Sequence, residues 1–152
     1  NLMGYLRKSN SKDLRHVMNN MRGIDKIEAY YQCGCEPKDA LALTYINSEI
    51  TMTVAGDEDQ PMGLCGVMSN GCIWFTATDE LFDSKKYRIQ LIRKGKTWVK
   101  SLLQKYDYLY NYVYAENDTS IKWLRSMDFN FINLHKDYGL HKKPFYEFMR
   151  IV

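Results

Sequence analysis

Two groups of residues carry the chemistry this sequence can do. Lys85, Lys86 and Arg88 open a basic stretch over residues 84–105, which also holds Arg93, Lys94, Lys96, Lys100 and Lys105 and no acid. Such a stretch attracts phosphates of a nucleotide cofactor, a nucleic acid or a lipid, or is a solvated helix face with no ligand. The second group surrounds Asn117. It lies at a turn, Ala115-Glu116-Asn117, after the strand-like Tyr108–Tyr114 and before a short amphipathic helix, Asp118–Met127. An Asn there caps the helix or borders a ligand. Asp57-Glu58-Asp59 is an opposite, acidic cluster.

Other residues exclude function classes. Cys33-Gly34-Cys35 lacks the two-residue gap of a zinc knuckle and no His lies near it, so no metal site is expected and the four cysteines read as free thiols. Tyr87, Trp98 and Tyr106 lie on the apolar stripe of the basic helix rather than among its charges, so nucleic-acid binding is not expected. No apolar run approaches the ~20 residues of a membrane span, and no signal-peptide pattern opens the sequence.

The elements that must position these residues follow from periodicity. Leu2–Lys8 reads as a strand. Ser9–Asp13 offers helix caps, and Leu14, Val17, Met18 and Met21 recur at helical spacing. Gly23 interrupts, and Ile24, Ile27, Tyr30 and Tyr31 carry the apolar period to Gly34. Pro37-Lys38-Asp39 opens a third helix, Ala40–Tyr45. Period two then takes over: strands are predicted at Glu49–Ala55, Met62–Met68 and Cys72–Thr76, with a tight hairpin at Asn70-Gly71. Thr78-Asp79-Glu80 caps a brief helix through Phe82. A long helix is predicted over Ser84–Tyr106, striped by Tyr87, Leu91, Ile92, Trp98, Val99, Leu102, Leu103 and Tyr106, with Gly95 in the stripe facing the sheet. Strands at Phe129–His135 and Pro144–Val152 close the chain. At 152 residues, with 45% apolar and 26% charged residues, one domain over 1–152 is expected. It is a mixed α/β (α+β) fold with a mostly antiparallel sheet and helices on both faces.

Strand, Asn117, short helix, Phe129, strand: this order resembles the second half of the acetyl-CoA-binding core of the GNAT N-acetyltransferase superfamily, and the element order extends the resemblance over essentially the whole chain. The resemblance implies a cleft between splayed fourth and fifth strands, here Cys72–Thr76 and Tyr108–Tyr114. Acetyl-CoA would lie there, with Trp74, Phe75 and Thr76 along its pantetheine arm, Lys85, Lys86 and Arg88 at its phosphates, and Asn117 at the border. The start of a helix suits a phosphate because its N–H groups are unpaired. The family's phosphate signature, Gln/Arg-x-x-Gly-x-Gly/Ala, falls on Lys85–Gln90, where Arg88 and Gln90 replace the glycines. Amine acetylation needs a base, for which the resemblance offers Asp79 or Glu80, and an acid, for which it offers Tyr114 or Tyr112. The usual Tyr position in the short helix is Leu124, and Asp128 replaces the family's Gly before Phe129.

The runs Lys105–Val113, Asn117–Leu124 and Cys72–Asp79 are further similar to small GNAT-like proteins of short-tailed bacteriophages, of the internal virion protein type. That implies a place in the host cytoplasm or the virion. Two functions stand open: transfer of acetyl from acetyl-CoA to an unknown amine acceptor, or a catalytically inactive assembly or host-interaction protein, with phage or host proteins as partners, that retains the fold.

Overall fold

The computed structural model describes residues 6–152; the start of the predicted first strand, residues 2–5, lies outside them. The elements run β1 Leu6–Lys8, α1 Ser11–Asn19, α2 Gly23–Cys33, α3 Pro37–Ile46, β2 Ile50–Ala55, β3 Pro61–Val67, β4 Ile73–Ala77, α4 Asp79–Asp83, α5 Lys85–Leu102, β5 Tyr108–Tyr114, α6 Asp118–Ser126, β6 Asn130–Tyr138 and β7 Lys143–Ile151. Two antiparallel sheets result, ordered β1-β2-β3-β4 and β5-β7-β6.

Among the described residues a single parallel bridge joins the sheets, between Cys72 and Tyr110, where the Tyr110 N–H donates to Gly71 O at 3.1 Å. Asn70-Gly71 forms the predicted hairpin before it. Gly71 has φ +87°, and a side chain there would meet Tyr108 O at 2.4 Å, so only glycine lets β5 come this close. Beyond the bridge β4 and β5 diverge, as expected of strands four and five.

Helices cover both faces. Val17 of α1, Met21 just after it and Leu41 of α3 pack on Leu64 of β3. On the other face, Val99, Leu102, Ile121, Leu124 and Met127 of α5, α6 and its end pack on Leu109, Val113 and Phe148. Leu81 and Leu91 cover Val54, Met62 and Ala77. α1 starts with a capping box in which Asn10 and Asp13 satisfy each other's backbone N–H.

Three expectations need correction. The long helix stops at Leu102, not Tyr106: Lys105 and Tyr106 both donate to Leu102 O, and this turn keeps Leu103 and Tyr106 buried without helix. Gly95 makes room for α6, not for the sheet, since its Cβ would lie 2.7 Å from Met127 Sδ. The apolar period of α2 marks its outer side: Ile27 and Tyr30 are 44% and 42% exposed, whereas Asp25 is 6% exposed. Among the described residues no helix is long and apolar enough to cross a membrane, no three His, Cys, Asp or Glu side chains gather as a metal site, and all four cysteines are free.

Candidate functional site

The divergence of β4 and β5 leaves backbone groups that no strand can pair. The Thr78 N–H donates to Met62 O and the Met68 N–H to Cys72 O. In an antiparallel ladder this parity turns the backbone of Trp74 and Thr76 toward β3, and that of Ile73, Phe75 and Ala77 toward the gap. Buried backbone groups require partners, and side chains supply most of them. Asn111 Nδ2 donates to Ile73 O at 2.6 Å. The Ala77 N–H donates to Asp25 Oδ2 at 3.0 Å, and Ala77 O accepts from the Arg22 N–H at 2.9 Å. Phe75, between these two plugs, keeps its N–H and C=O without a partner in the described structure.

The gap is a cleft of about 130 Å³ that reaches from α2 and α3 on one face to α5 and α6 on the other. Thr76 Oγ1 and Trp123 Nε1 line it, buried and without hydrogen-bond partners among the described residues. Buried polar atoms are nearly always paired, so such orphans mark a place for a ligand or water. The Trp123 indole stacks on Phe75, with ring centroids 4.6 Å apart, and walls the cleft on the α6 side.

α2 supplies the charge. Arg22, just before it, grips Asp25 in a buried two-point pair, with Nε to Oδ2 at 3.0 Å and Nη2 to Oδ1 at 2.8 Å. One turn further, Glu28 Oε2 accepts from the Tyr114 N–H at 2.9 Å and from Asn117 Nδ2 at 3.1 Å. Burial, with the negative charge of Asp25 beside it, pushes the Glu28 carboxyl up to about 7, while the two donors and Arg22 pull the other way. A carboxylate that titrates near neutrality inside a cleft can accept a proton from a bound substrate. Gln32, a turn beyond, donates to Asn111 Oδ1 at 3.2 Å.

The residues singled out from the sequence separate into three places. Trp74, Phe75 and Thr76 line the cleft. Asn117 is 1% exposed and caps its helix, its Oδ1 accepting from the Ser120 N–H at 3.3 Å; it does not line the cleft itself but its Nδ2 holds Glu28, which does. Tyr112 and Leu124 also line the cleft, and the Tyr112 phenol is held above its usual range, mainly by burial. Tyr114 is buried, and its hydroxyl donates to Glu116 at 2.8 Å, which with burial raises it to about 12.

Lys85, Lys86 and Arg88 are exposed on the first turn of α5 and do not line the cleft. Lys86 pairs with Asp57 at 2.5 Å, and the Arg88 guanidinium donates to Phe82 O. Ser84 Oγ takes the Tyr87 N–H, so this helix start is partly capped by its own chain. Asp79 and Glu80 are exposed in α4, with Glu80 accepting from Gln60, and neither lines the cleft.

Arg22, Asp25, Glu28 and Asn111 escaped the sequence reading. Their one signal is spacing: Asp25, Glu28 and Gln32 recur on one side of α2, a polar stripe at the same period as the apolar one.

The architecture matches solved acetyltransferases. A GNAT-family acetyltransferase from Bacillus anthracis superposes with a TM-score of 0.68 at 14% identity, covering 96% of this chain and 93% of that one. Spermidine N-acetyltransferase from Vibrio cholerae, solved in complex with CoA and spermine, gives a TM-score of 0.62 at 14% identity, with 96% and 94% covered. At such identities the likeness establishes the GNAT fold. No curated protein sequence matches this one. The family model described as bacteriophage T7 probable scaffold protein Gp13 matches residues 50–138, more than half of the chain and all of β2–β5, and to that phage family the chain belongs.

Proposed function

We propose that the chain binds acetyl-CoA, or another acyl-CoA, in the β4–β5 cleft and transfers the acyl group to an amine, with Glu28 taking the proton from the amine. The observation that carries this reading is the unpaired edge of Phe75 beside the orphaned Thr76 Oγ1 and Trp123 Nε1, all in one cleft with Glu28. An extended chain of amides, as in pantetheine, pairs with a free strand residue by backbone hydrogen bonds. Trp74, Phe75 and Thr76 would hold that arm, and the thioester supplies an activated acyl carbon. The Tyr112 phenol, protonated at neutral pH, is a donor for the departing thiolate; Tyr114 is already committed to Glu116. Lys85, Lys86 and Arg88 would meet the phosphates. Asp79 and Glu80 would serve only an acceptor arriving from the α4 side. That a spermidine acetyltransferase with this fold holds CoA and spermine supports both the donor and a cationic amine acceptor.

A thermal melt against acetyl-CoA, with ATP and free acetate as controls, tests binding. A ligand at 100 times its dissociation constant stabilises by about 2.7 kcal/mol, a shift of several degrees in a protein this size. Transfer of labelled acetyl to a panel of amines tests the chemistry. The rate should rise with pH through about 7 as Glu28 ionises, and Glu28→Gln should lower it by about 10²-fold or more. A melt unmoved by millimolar CoA would sink the proposal.

A second reading has its own support. In it the chain is an assembly protein of the host cytoplasm or the virion that keeps the fold without the reaction and acts on phage or host proteins. Leu124 replaces the usual acid, Arg88 and Gln90 replace the phosphate-loop glycines, and the matching family is described as a scaffold protein. It predicts no CoA shift, and co-sedimentation with other virion proteins.

A further inference from the structure

The outer face of α5 takes no part in the cleft, yet it exposes a run of cations with no acid in the helix. Leu91, Gly95, Val99 and Leu102 are its buried residues. At 100° per residue they occupy one side of the helix, and Arg93, Lys96 and Lys100 fall together on the opposite side within an arc of roughly 60°. All three are exposed, as are Lys85 and Lys94 beside them. None of these five meets a carboxylate among the described residues; the ion pairs near α5 belong to Lys86 with Asp57 and Lys105 with Glu49.

The arrangement carries an electrostatic cost in the isolated chain. Lys96 and Lys100 are like charges one turn apart, a pairing that destabilises a helix. Lys85 stands in the first turn, where the helix dipole opposes cations and α5 itself has no acid, while Lys86 beside it pairs with Asp57. A polyanion along the ridge relieves both effects.

We propose that this ridge, centred on Arg93, Lys96 and Lys100, binds the phosphate backbone of duplex nucleic acid without reading sequence. The surface chemistry selects this partner. No aromatic ring is exposed among the charges, because Tyr87 and Trp98 turn toward the core, so base stacking on a single strand has no platform. The expectation against nucleic acid drawn from that stripe applies to a single strand and is revised for a duplex, which needs no stacking. Ile89 is the one exposed large apolar residue on α5, so the helix has no second, apolar face free to enter a membrane. Acids are wholly lacking from α5, unlike the mixed surfaces that proteins present to one another. The spacing suits a linear target: Arg93 to Lys100 spans about 10 Å of helix at 1.5 Å per residue. The proposal is independent of the acyl-transfer reading, because Arg93, Lys96 and Lys100 neither line the cleft nor belong to the residues that would meet the CoA phosphates.

Fluorescence anisotropy of a labelled 20-base-pair duplex tests it. Three phosphate contacts predict affinity falling about 40-fold as salt rises from about 50 to about 200 mM. The variant Arg93→Glu, Lys96→Glu, Lys100→Glu should abolish binding at the lower salt. The milder Arg93→Gln, Lys96→Gln, Lys100→Gln should flatten the logarithmic salt slope by about 2.7. As a control for net charge, Lys12→Glu, Lys26→Glu, Lys38→Glu makes the same charge change on exposed sites of α1, α2 and α3 and should keep most of the affinity. Melting curves of each variant report that it is folded. No duplex binding at the lower salt, equal loss in the control, stronger binding of a single strand or of anionic vesicles, or equal competition by polyglutamate would each overturn the proposal.

Discussion

α2 and α5 flank the same pair of diverging strands from opposite faces and are built by opposite rules. α5 buries its apolar stripe and exposes its cations. α2 turns Asp25, Glu28 and Gln32 inward and leaves Ile27 and Tyr30 half in water. The difference lies in what each helix covers. α5 lies on side chains of the sheets, which are apolar and need only shape. α2 lies over the place where the strand ladder is interrupted, so the Ala77 N–H and the Tyr114 N–H look for acceptors. A helix covering a broken ladder must bring polar side chains, or bury unpaired amides at about 1–3 kcal/mol each.

If that account is right, the most damaging small change lies in α2 at a charged residue. Asp25→Ala leaves Arg22 buried without its carboxylate and the Ala77 N–H without its acceptor. The expected loss is about 3–5 kcal/mol, read from the urea midpoint. Arg93→Ala, on the outside of α5, should stay within about 0.5 kcal/mol in the same experiment. Equal effects at the two sites would remove the distinction between the helices.

α5 should instead be sensitive to volume. Gly95→Val adds a branched side chain where a Cβ already falls 2.7 Å from the sulfur of Met127, which is 1% exposed. A loss of about 2–3 kcal/mol is expected for such overpacking, read as a lowered Tm. A neutral result would mean that α6 can slide away from α5.

Glu28 is where α2 gives up stability to hold a carboxyl in the cleft. Its carboxyl is raised from 4.5 to about 7 in the fold. Between those pH values the unfolded chain has released the proton and the folded chain retains it, so stability falls as pH rises through this window and levels off above about 7. Glu28→Gln has no such proton, and its amide oxygen can still accept from the Tyr114 N–H. The full shift corresponds to about 3 kcal/mol, and the partly open side chain reduces this to about 1–2 kcal/mol. The variant should therefore match the parent near pH 4.5 and exceed it by that amount at pH 8, measured by unfolding at both pH values. A constant difference across the range would show that Glu28 does not titrate in the cleft.

The same contrast explains what could be read from the sequence. The apolar stripe of α5 was legible through Leu91, Val99 and Leu102, because side-chain packing leaves a period of 3.6. So were the strands, through the alternation of Ile50, Met52 and Val54, and the turn at Asn70-Gly71, whose backbone only glycine fits. The cleft-lining Trp74, Phe75 and Thr76 came from the resemblance to the GNAT family, not from the residues themselves. The acid in the cleft did not. A polar residue facing a broken ladder looks, in sequence, like a residue facing water. The rule that apolar positions face inward therefore assigned the wrong side of α2, and Asp25 and Glu28 went unremarked while exposed Asp79 and Glu80 drew attention. The end of α5 was misplaced for a related reason: Leu103 and Tyr106 are buried by a turn that mimics one more helical period.

The smallest expected effect concerns the residue after Met127, the one for which Gly95 makes space. α6 ends in a Schellman closure: the Phe129 N–H donates to Leu124 O at 3.1 Å, the Asp128 N–H to Arg125 O at 3.0 Å, and Phe129 and Leu124 pack in the same core. The closure forces φ +65° on Asp128. Glycine takes that conformation freely, and asparagine and aspartate tolerate it better than other residues. Aspartate also sets a negative charge at the end of the helix where the dipole is already negative. Asp128→Gly relieves both costs, with some loss because the unfolded chain becomes more flexible, and a net gain of about 0.5 kcal/mol is expected. Asp128→Asn removes only the charge and should gain a few tenths. Asp128→Ala should lose about 0.5–1 kcal/mol, since alanine has no side chain to support the left-handed backbone. The order Gly, Asn, Asp, Ala in Tm would mean that Asp128 performs the backbone role of the glycine it replaces. If Ala equalled Asp, the closure would have to be loose enough to relax φ, and the α6 end that carries Met127 against Gly95 would be adjustable rather than fixed.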